Sequence, residues 1–311
     1  MHCRGCGEKN IVNFLDLGFA PPSNAYIESE DIKNPETYYP LKVNICPKCF
    51  LAQTEDFTNP QDLFTPNYAY FSSTSKTQLK HAENYVNKIV DFLDLSERSF
   101  VVEVASNDGY LLKNFVNKKI PCLGIEPAID TALYAEELKI PVIKKFFNNS
   151  LALDLVKKYG KSDLIIGNNV YAHVPDIIDF TNGLKHLLSD EGTITLEFPS
   201  LYNLIKFNQF DTIYHEHFSY LSLTSVTNIF EKCNLKIYKV EKIPTHGGSL
   251  RIYGSHKNNS KEISSSLREV LNEEEIFGLN HIKTYRDFQA KVEEIKDNFL
   301  NFLITAKKNN K

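Results

Sequence analysis

The 311-residue sequence contains no run of about 18 apolar residues, which argues against a membrane-spanning helix. No apolar h-region follows Met1-His2-Cys3-Arg4, so no secretory signal is expected and a cytoplasmic location is. Neither charge is in excess: 35 Lys and Arg stand against 39 Asp and Glu, a formal net charge of −4. That balance, with no basic stripe interleaved with aromatics, speaks against a nucleic-acid partner. Cysteine is scarce, six in all, and four of them fall in two close pairs. This is a poor disulfide framework for a chain of this length and a better metal set. There is no G-x-G-x-x-G, so the dinucleotide fingerprint is missing. What remains is an ordinary globular composition, 42% hydrophobic and 24% charged, in a length that suits two domains or one with an appendage.

The two pairs are Cys3-Arg4-Gly5-Cys6 and Cys46-Pro47-Lys48-Cys49. Each C-x-x-C turn aims two thiolates at one point, and two turns make a tetrahedron of sulfur suited to Zn²⁺. A redox C-x-x-C opens a helix after a strand, and neither pair has that setting. Cys3, Cys6, Cys46 and Cys49 are therefore expected to hold a structural zinc, closed to substrate. Phe14, Leu15, Tyr38 and Tyr39 are available as a small core, which metal would have to support. Cys122 and Cys233 lie in apolar runs and read as buried thiols.

From about residue 85 short β-branched runs alternate with helical periodicity, as in Phe100-Val101-Val102-Glu103-Val104 followed by Tyr110 to Lys118. This predicts an α/β fold with a parallel sheet covered on both faces, and a ligand beyond the carboxyl ends of its strands. Three strand ends carry polar residues: Ala105-Ser106-Asn107-Asp108-Gly109, Glu126-Pro127, and Gly167-Asn168-Asn169. Gly109 would let backbone approach a ligand, and Glu126 is spaced to accept from ribose hydroxyls. A solvated strand cap is the plainer reading of Glu126.

Two later clusters are too polar for a simple core. Tyr214-His215-Glu216-His217-Phe218-Ser219-Tyr220 sets a half-buried imidazole where a base near neutral pH is useful. Its His-x-His spacing also permits chelation, but no further ligand pair is evident. Thr245-His246-Gly247-Gly248-Ser249-Leu250-Arg251 reads as a hairpin turn between strands at Leu235 to Val240 and Leu250 to Tyr253, with His246 undecided.

Taken in order, the cysteine pairs, E-V-A-S-N-D-G-Y-L-L, N-N-V-Y-A-H-V-P-D, Y-H-E-H-F-S-Y and T-H-G-G-S-L-R resemble the S-adenosylmethionine-dependent sugar C-methyltransferases, which methylate C-3 of nucleotide-linked 4-keto deoxysugars. The resemblance covers residues 1 to about 255. It implies a class I methyltransferase-like (Rossmann-like) sheet at 81–258, a zinc-binding and substrate-contacting module at 1–80, and a helical tail at 259–311 that begins a further domain. Glu103 to Gly109 then matches the family's E-x-G-S-N-D-G, with Ala105 in place of glycine. By this resemblance Glu103, Ser106, Asn107, Gly109, Glu126, Phe147, Asn168 and Ser72 hold the cofactor. His217 is the base, with Glu216, Tyr214 and Tyr70 beside it, and Tyr68, Tyr220 and His246 contact substrate. The partner implied is a nucleotide sugar, and a monomer is plausible. O-methylation of a sugar hydroxyl is the alternative chemistry. A zinc- and cofactor-binding protein lacking catalysis is the alternative class. In the tail, Leu267, Val270, Leu271, Ile276, Val292, Ile295, Phe299 and Leu303 are expected to form apolar faces.

Overall fold

The computed structural model describes residues 2–24, 26–55, 57 and 70–311. The first strands are β1 (Val12–Ala20), β2 (Tyr39–Ile45) and β3 (Ala52–Thr54), which pair antiparallel in that order. Helix α1 (Lys76–Leu93) follows, with Ser75 accepting from the Gln78 amide as its N-cap. Then come β4 (Val101–Val104), α2 (Leu112–Asn117), β5 (Cys122–Ile125), α3 (Ile129–Glu137), β6 (Val142–Ile143), α4 (Asn149–Tyr159) and β7 (Ser162–Asn168). The alternation continues through α5 (Ile177–Leu187), β8 (Leu188–Pro199) and α6 (Leu201–Lys206). A two-residue strand, β9 (Ser219–Tyr220), precedes α7 (Leu223–Lys232), β10 (Leu235–Ile243) and β11 (Ser249–His256). Helices α8 (Ser265–Phe277), α9 (Ile282–Arg286) and α10 (Phe288–Lys308) end the chain.

The large sheet has the order β10-β11-β8-β7-β4-β5-β6. Strands β6, β5, β4, β7 and β8 run parallel, and β11 runs antiparallel to both its neighbours. This is the class I methyltransferase arrangement. The hairpin read at residues 235–253 supplies its one reversed strand. Strand β4 is buried over its whole length, as a central parallel strand must be. Val102 and Val104 face a layer with Ile177, Leu184 and Leu196, while Val101 faces Val86, Ile89 and Phe115. Each such side chain contributes about 1.5–3 kcal/mol by burial.

The N-terminal sheet differs from expectation in what completes it. Phe14 and Leu15 are buried, but Tyr38 lies outside β2 and is exposed. The core closes instead on α6, α9 and α10: the Phe14 ring stands 5.3 Å from Tyr285, edge-on, and 5.3 Å from Phe288. The C-terminal helices are thus built into the fold. Buried Glu274 of α8 accepts from the Leu223 and Thr224 amides, capping α7 and favoured by the positive end of that helix. Leu267, Val270 and Val292 are buried as expected, and Leu271 is partly so. Ile276, Ile295, Phe299 and Leu303 are exposed. Among the described residues, no helix is long and apolar enough to cross a membrane.

Candidate active site and metal centre

The Sγ atoms of Cys3, Cys6, Cys46 and Cys49 lie within 4.8 Å of one another, with Cys3–Cys49 at 3.4 Å and Cys6–Cys46 at 3.5 Å. Tetrahedral zinc with bonds of about 2.3 Å separates its sulfurs by roughly 3.8 Å, so the set fits. The Lys48 and Cys49 amides both donate to the Cys46 sulfur, as suits a thiolate. No other group of this kind occurs among the described residues. The His-x-His spacing gathers no such group among the described residues; His215 Nε2 donates to the Pro40 carbonyl and His217 Nδ1 to the Thr212 carbonyl. Structural zinc is worth on the order of 10 kcal/mol to a small module. Cys46→Ser is therefore expected to lose the metal and melt at lower temperature, read by metal analysis and calorimetry together.

The large cavity has a volume of about 1010 Å³ and opens beyond the carboxyl ends of β4, β5, β7 and β8. That is the upper end of the ligand-pocket range, room for two ligands side by side. Its lining includes the packed rings of Phe147 and Phe180, centroids 5.1 Å apart, and those of Tyr214 and His217. Asn24, Tyr70, Asn107, Tyr110, Glu126, Asn168 and His246 also line it.

Glu126 ends β5 with its carboxylate buried. One oxygen accepts from the Asn107 amide at 2.8 Å and the other from the Ala128 amide at 2.9 Å. Burial pushes its carboxyl up in spite of those two bonds. Asn107 in turn accepts from the Ser72 amide and donates to the Tyr70 carbonyl, and Asp108 accepts from the Ser73 amide. The strand-end loop therefore clamps residues 70–73 to the cavity wall. Ala105, at the position where the family motif has glycine, takes φ 57°, a region that costs an L-residue about 1 kcal/mol.

Three expected cofactor residues do not reach the cavity. Gly109 has φ 76°, and a Cβ there would stand 2.5 Å from Ile140, so its glycine serves packing rather than ligand approach. The Ser106 hydroxyl is buried against Gly124, whose Cβ would lie 2.5 Å from it. Glu103 points with Val101 into the apolar layer, wholly buried. Neither of its oxygens has a hydrogen-bond partner among the described residues, and burial, with Glu126 and Asp108 nearby, pushes its carboxyl well up. Ser72, Asn107, Glu126, Phe147 and Asn168 all line the cavity.

His217 is the most constrained group. Its Nδ1 bond to the Thr212 carbonyl, at 3.2 Å, requires a proton on Nδ1 and leaves the Nε2 lone pair bare. Its ring lies 4.1 Å from that of Tyr214 and 4.7 Å from that of His173, centroid to centroid. Burial, then the neighbouring His173, hold its pKa well below the ordinary imidazole value. Burial lowers His173 to about 4 as well. Burial pushes the Tyr214 phenol up to about 12. Buried Glu216 accepts from Ser23 and Asn24 of the N-terminal module. Tyr70 stands half-exposed at the cavity edge, and His246, at φ 51°, sits at the mouth. Tyr220 is not brought to the large cavity. Its hydroxyl donates to the Tyr214 carbonyl and accepts from the Tyr214 amide, so it shapes the turn. Tyr68 lies outside the described residues. Among the lining residues that the sequence left unassigned are Asn24, which reads only as a turn, and then Tyr110 and His173. The last two sit in quoted motifs, the available signal.

Family models match three consecutive parts of the chain: a zinc binding domain at residues 3–64, a methyltransferase domain at 79–240 and a C-methyltransferase C-terminal domain at 244–311. The C-methyltransferase NovU of Streptomyces niveus is 32% identical over 294 residues, covering 94% of this chain and 70% of the relative. The chain belongs to the C-methyltransferase family. It is an S-adenosylmethionine-dependent methyltransferase with an N-terminal zinc module. Among solved structures, it is similar to magnesium protoporphyrin IX methyltransferase of Synechocystis PCC 6803, determined with bound SAH, at 14% identity and a TM-score of 0.45 over 58% of this chain and 88% of that one. It is also similar to the PH0226 protein of Pyrococcus horikoshii OT3, at 13% identity and a TM-score of 0.47 over 65% of this chain and 100% of that one.

Glu126→Ala is expected to weaken cofactor binding about tenfold or more, by removing an acceptor and releasing the Asn107 amide it holds. Titration calorimetry reads the affinity, and an unchanged circular dichroism spectrum excludes a general loss of fold.

Proposed function

We propose that this enzyme methylates C-3 of a nucleotide-linked 4-keto deoxysugar, with His217 as the base, in the cytoplasm and without a nucleic-acid partner. One observation carries the reading: an imidazole with its tautomer fixed by the Thr212 carbonyl lines the same cavity as the strand-end acid Glu126. When bound, S-adenosylmethionine supplies an electrophilic methyl group on a sulfonium centre. Glu126, Asn168, Asn107, Ser72 and Phe147 are the residues that would hold it.

The ketone at C-4 acidifies the C-3 proton because the anion delocalises onto oxygen. His217 Nε2 takes that proton, the C–H electron pair passes to the enolate, and C-3 becomes the nucleophile. Tyr214 stays protonated through neutral pH and can donate to the oxygen that gains charge. Tyr70 and His246 flank the mouth, where the nucleotide part would extend. Glu216 fixes Asn24, whose side chain would otherwise be free to leave the cavity wall.

The test uses a panel of nucleotide-linked 4-keto-6-deoxysugars in deuterated water, without cofactor. Wild-type enzyme should introduce one deuterium at C-3, seen by mass spectrometry, and His217→Asn should introduce none. Methyl transfer to a hydroxyl, with no exchange at carbon, would replace this reading by O-methylation.

A further inference from the structure

The zinc module reaches the segment that carries His217. Strand β9, which begins two residues after His217, is the fourth strand of the module's sheet, pairing Ala52 with Tyr220 and Gln53 with Ser219. Buried Thr54 grips the two preceding carbonyls: its hydroxyl donates to the His217 carbonyl at 3.1 Å, and its amide to the Phe218 carbonyl at 3.1 Å. Arg4, between the first two cysteines, donates from Nη1 to the Thr54 and Phe218 carbonyls, each at 2.9 Å. Its guanidinium lies over the Phe218 ring, 5.4 Å from the centroid. The Arg4 amide donates to buried Gln53, which closes the circuit back to β3.

We propose that Arg4 is a positioning residue for His217, so that the metal-folded knuckle sets the aim of the base. The four-sulfur site would tie both ends of the two-residue turn on which Arg4 rides, adding to the Lys232 Nζ bond to the Gly5 carbonyl and the Arg4 amide bond to Gln53. One Arg4 nitrogen then ties the knuckle both to β3, at Thr54, and to Phe218, the residue after His217. The cofactor side of the cavity is held separately, by Glu126 and Asn107, and does not depend on this contact. The inference rests on the reading of His217 as base.

The experiment compares zinc-loaded wild type, Arg4→Met and Thr54→Val. Histidine labelled with ¹³C in the ring gives a His217 resonance, assigned by its loss in His217→Asn. Zinc content and S-adenosylmethionine affinity are measured on each protein. Both variants should keep their zinc and bind cofactor within about twofold, yet shift the His217 resonance. Misplacing a reacting group by about 1 Å costs up to about a hundredfold, so kcat should fall by about tenfold to a hundredfold with KM changed much less. Arg4→Lys, with the charge but without the planar fork, should recover only part of it. If Arg4→Met sheds its zinc, Thr54→Val, which leaves the knuckle untouched, decides. An unmoved His217 resonance in Thr54→Val, or in zinc-loaded Arg4→Met, overturns the proposal. A moved resonance with unchanged turnover upholds the placement and overturns His217 as the base.

Discussion

Replacing His217 by asparagine is expected to lower kcat by about 10²- to 10⁴-fold, the usual worth of a positioned general base, with cofactor affinity close to that of wild type. Asparagine keeps a donor for the Thr212 carbonyl, so the turn from Tyr214 to Phe218 should survive. What is lost is the bare Nε2. The same geometry fixes the pH dependence. Burial and His173 depress the His217 pKa, so the neutral, proton-accepting form persists below the ordinary imidazole range. The acid limb of kcat/KM should accordingly fall well below pH 6.5, with a plateau through neutrality. On the alkaline side Tyr214 loses its proton only near 12, so its donor role should not limit the rate at moderately basic pH. A steady-state pH profile checks both limbs. An acid limb near 6.5 would mean that the operative imidazole is more solvated than His217.

The parts of this site that were legible in the sequence are those encoded locally. A β-branched run, a polar loop and an amphipathic stretch announce a strand end; Glu126 follows from that logic, and Asn107 and Asn168 from the family resemblance of their motifs. The cysteine pairs were equally plain, because ligand spacing is a short-range property. The loop's internal geometry was not legible. Glu103, Ser106 and Gly109 belong to the same motif as Asn107 but turn inward, because strand alternation and a left-handed Gly109 send them to the packing side. Tyr220 looked like an active-site phenol, and only the fold shows its hydroxyl spent on the Tyr214 backbone.

Long-range pairing was hidden for a different reason. Ser219-Tyr220 is too short to carry a periodic signal, and its partner strand lies more than 160 residues earlier. Nothing local distinguishes it from a loop, yet it joins the zinc sheet to the segment of His217. Asn24 was hidden likewise: Pro21-Pro22-Ser23-Asn24 has turn composition, and its contact with Glu216 is tertiary. The apolar faces of the tail were read from periodicity alone. That correctly marked Leu267, Val270 and Val292 but could not tell which positions of α10 lie beyond the reach of β1.

Arg251→Met should destabilise the protein by about 3–5 kcal/mol, the cost of leaving a buried charge without its partner. Arg251 and Glu197 are both buried, and Arg251 Nη2 donates to Glu197 at 2.6 Å. His81 of α1 bonds both Glu197 oxygens, the Thr245 hydroxyl donates to one of them, and the Arg251 guanidinium lies over the Tyr85 ring. Thr245 and Arg251 stood in a cluster the sequence made conspicuous, but their partners did not, since His81 comes from α1 and Glu197 from β8. Burial alone would push the Glu197 carboxyl up, but the bonds from His81 and Arg251 outweigh it and hold the pKa at about 2. Unfolded glutamate titrates near 4.3. The unfolded state therefore takes up the proton first as pH falls, so this stabilisation is complete above about pH 5 and is lost on the way down to about 2. In Arg251→Met the acid dependence over that window should flatten, because the depressed pKa rises. The double variant Arg251→Met, Glu197→Gln should regain much of the lost stability, since it removes the stranded charge as well. Urea unfolding at neutral pH and at pH 4 measures all three. A double variant no more stable than the single one would show that packing against Tyr85, rather than charge pairing, holds this corner of the fold.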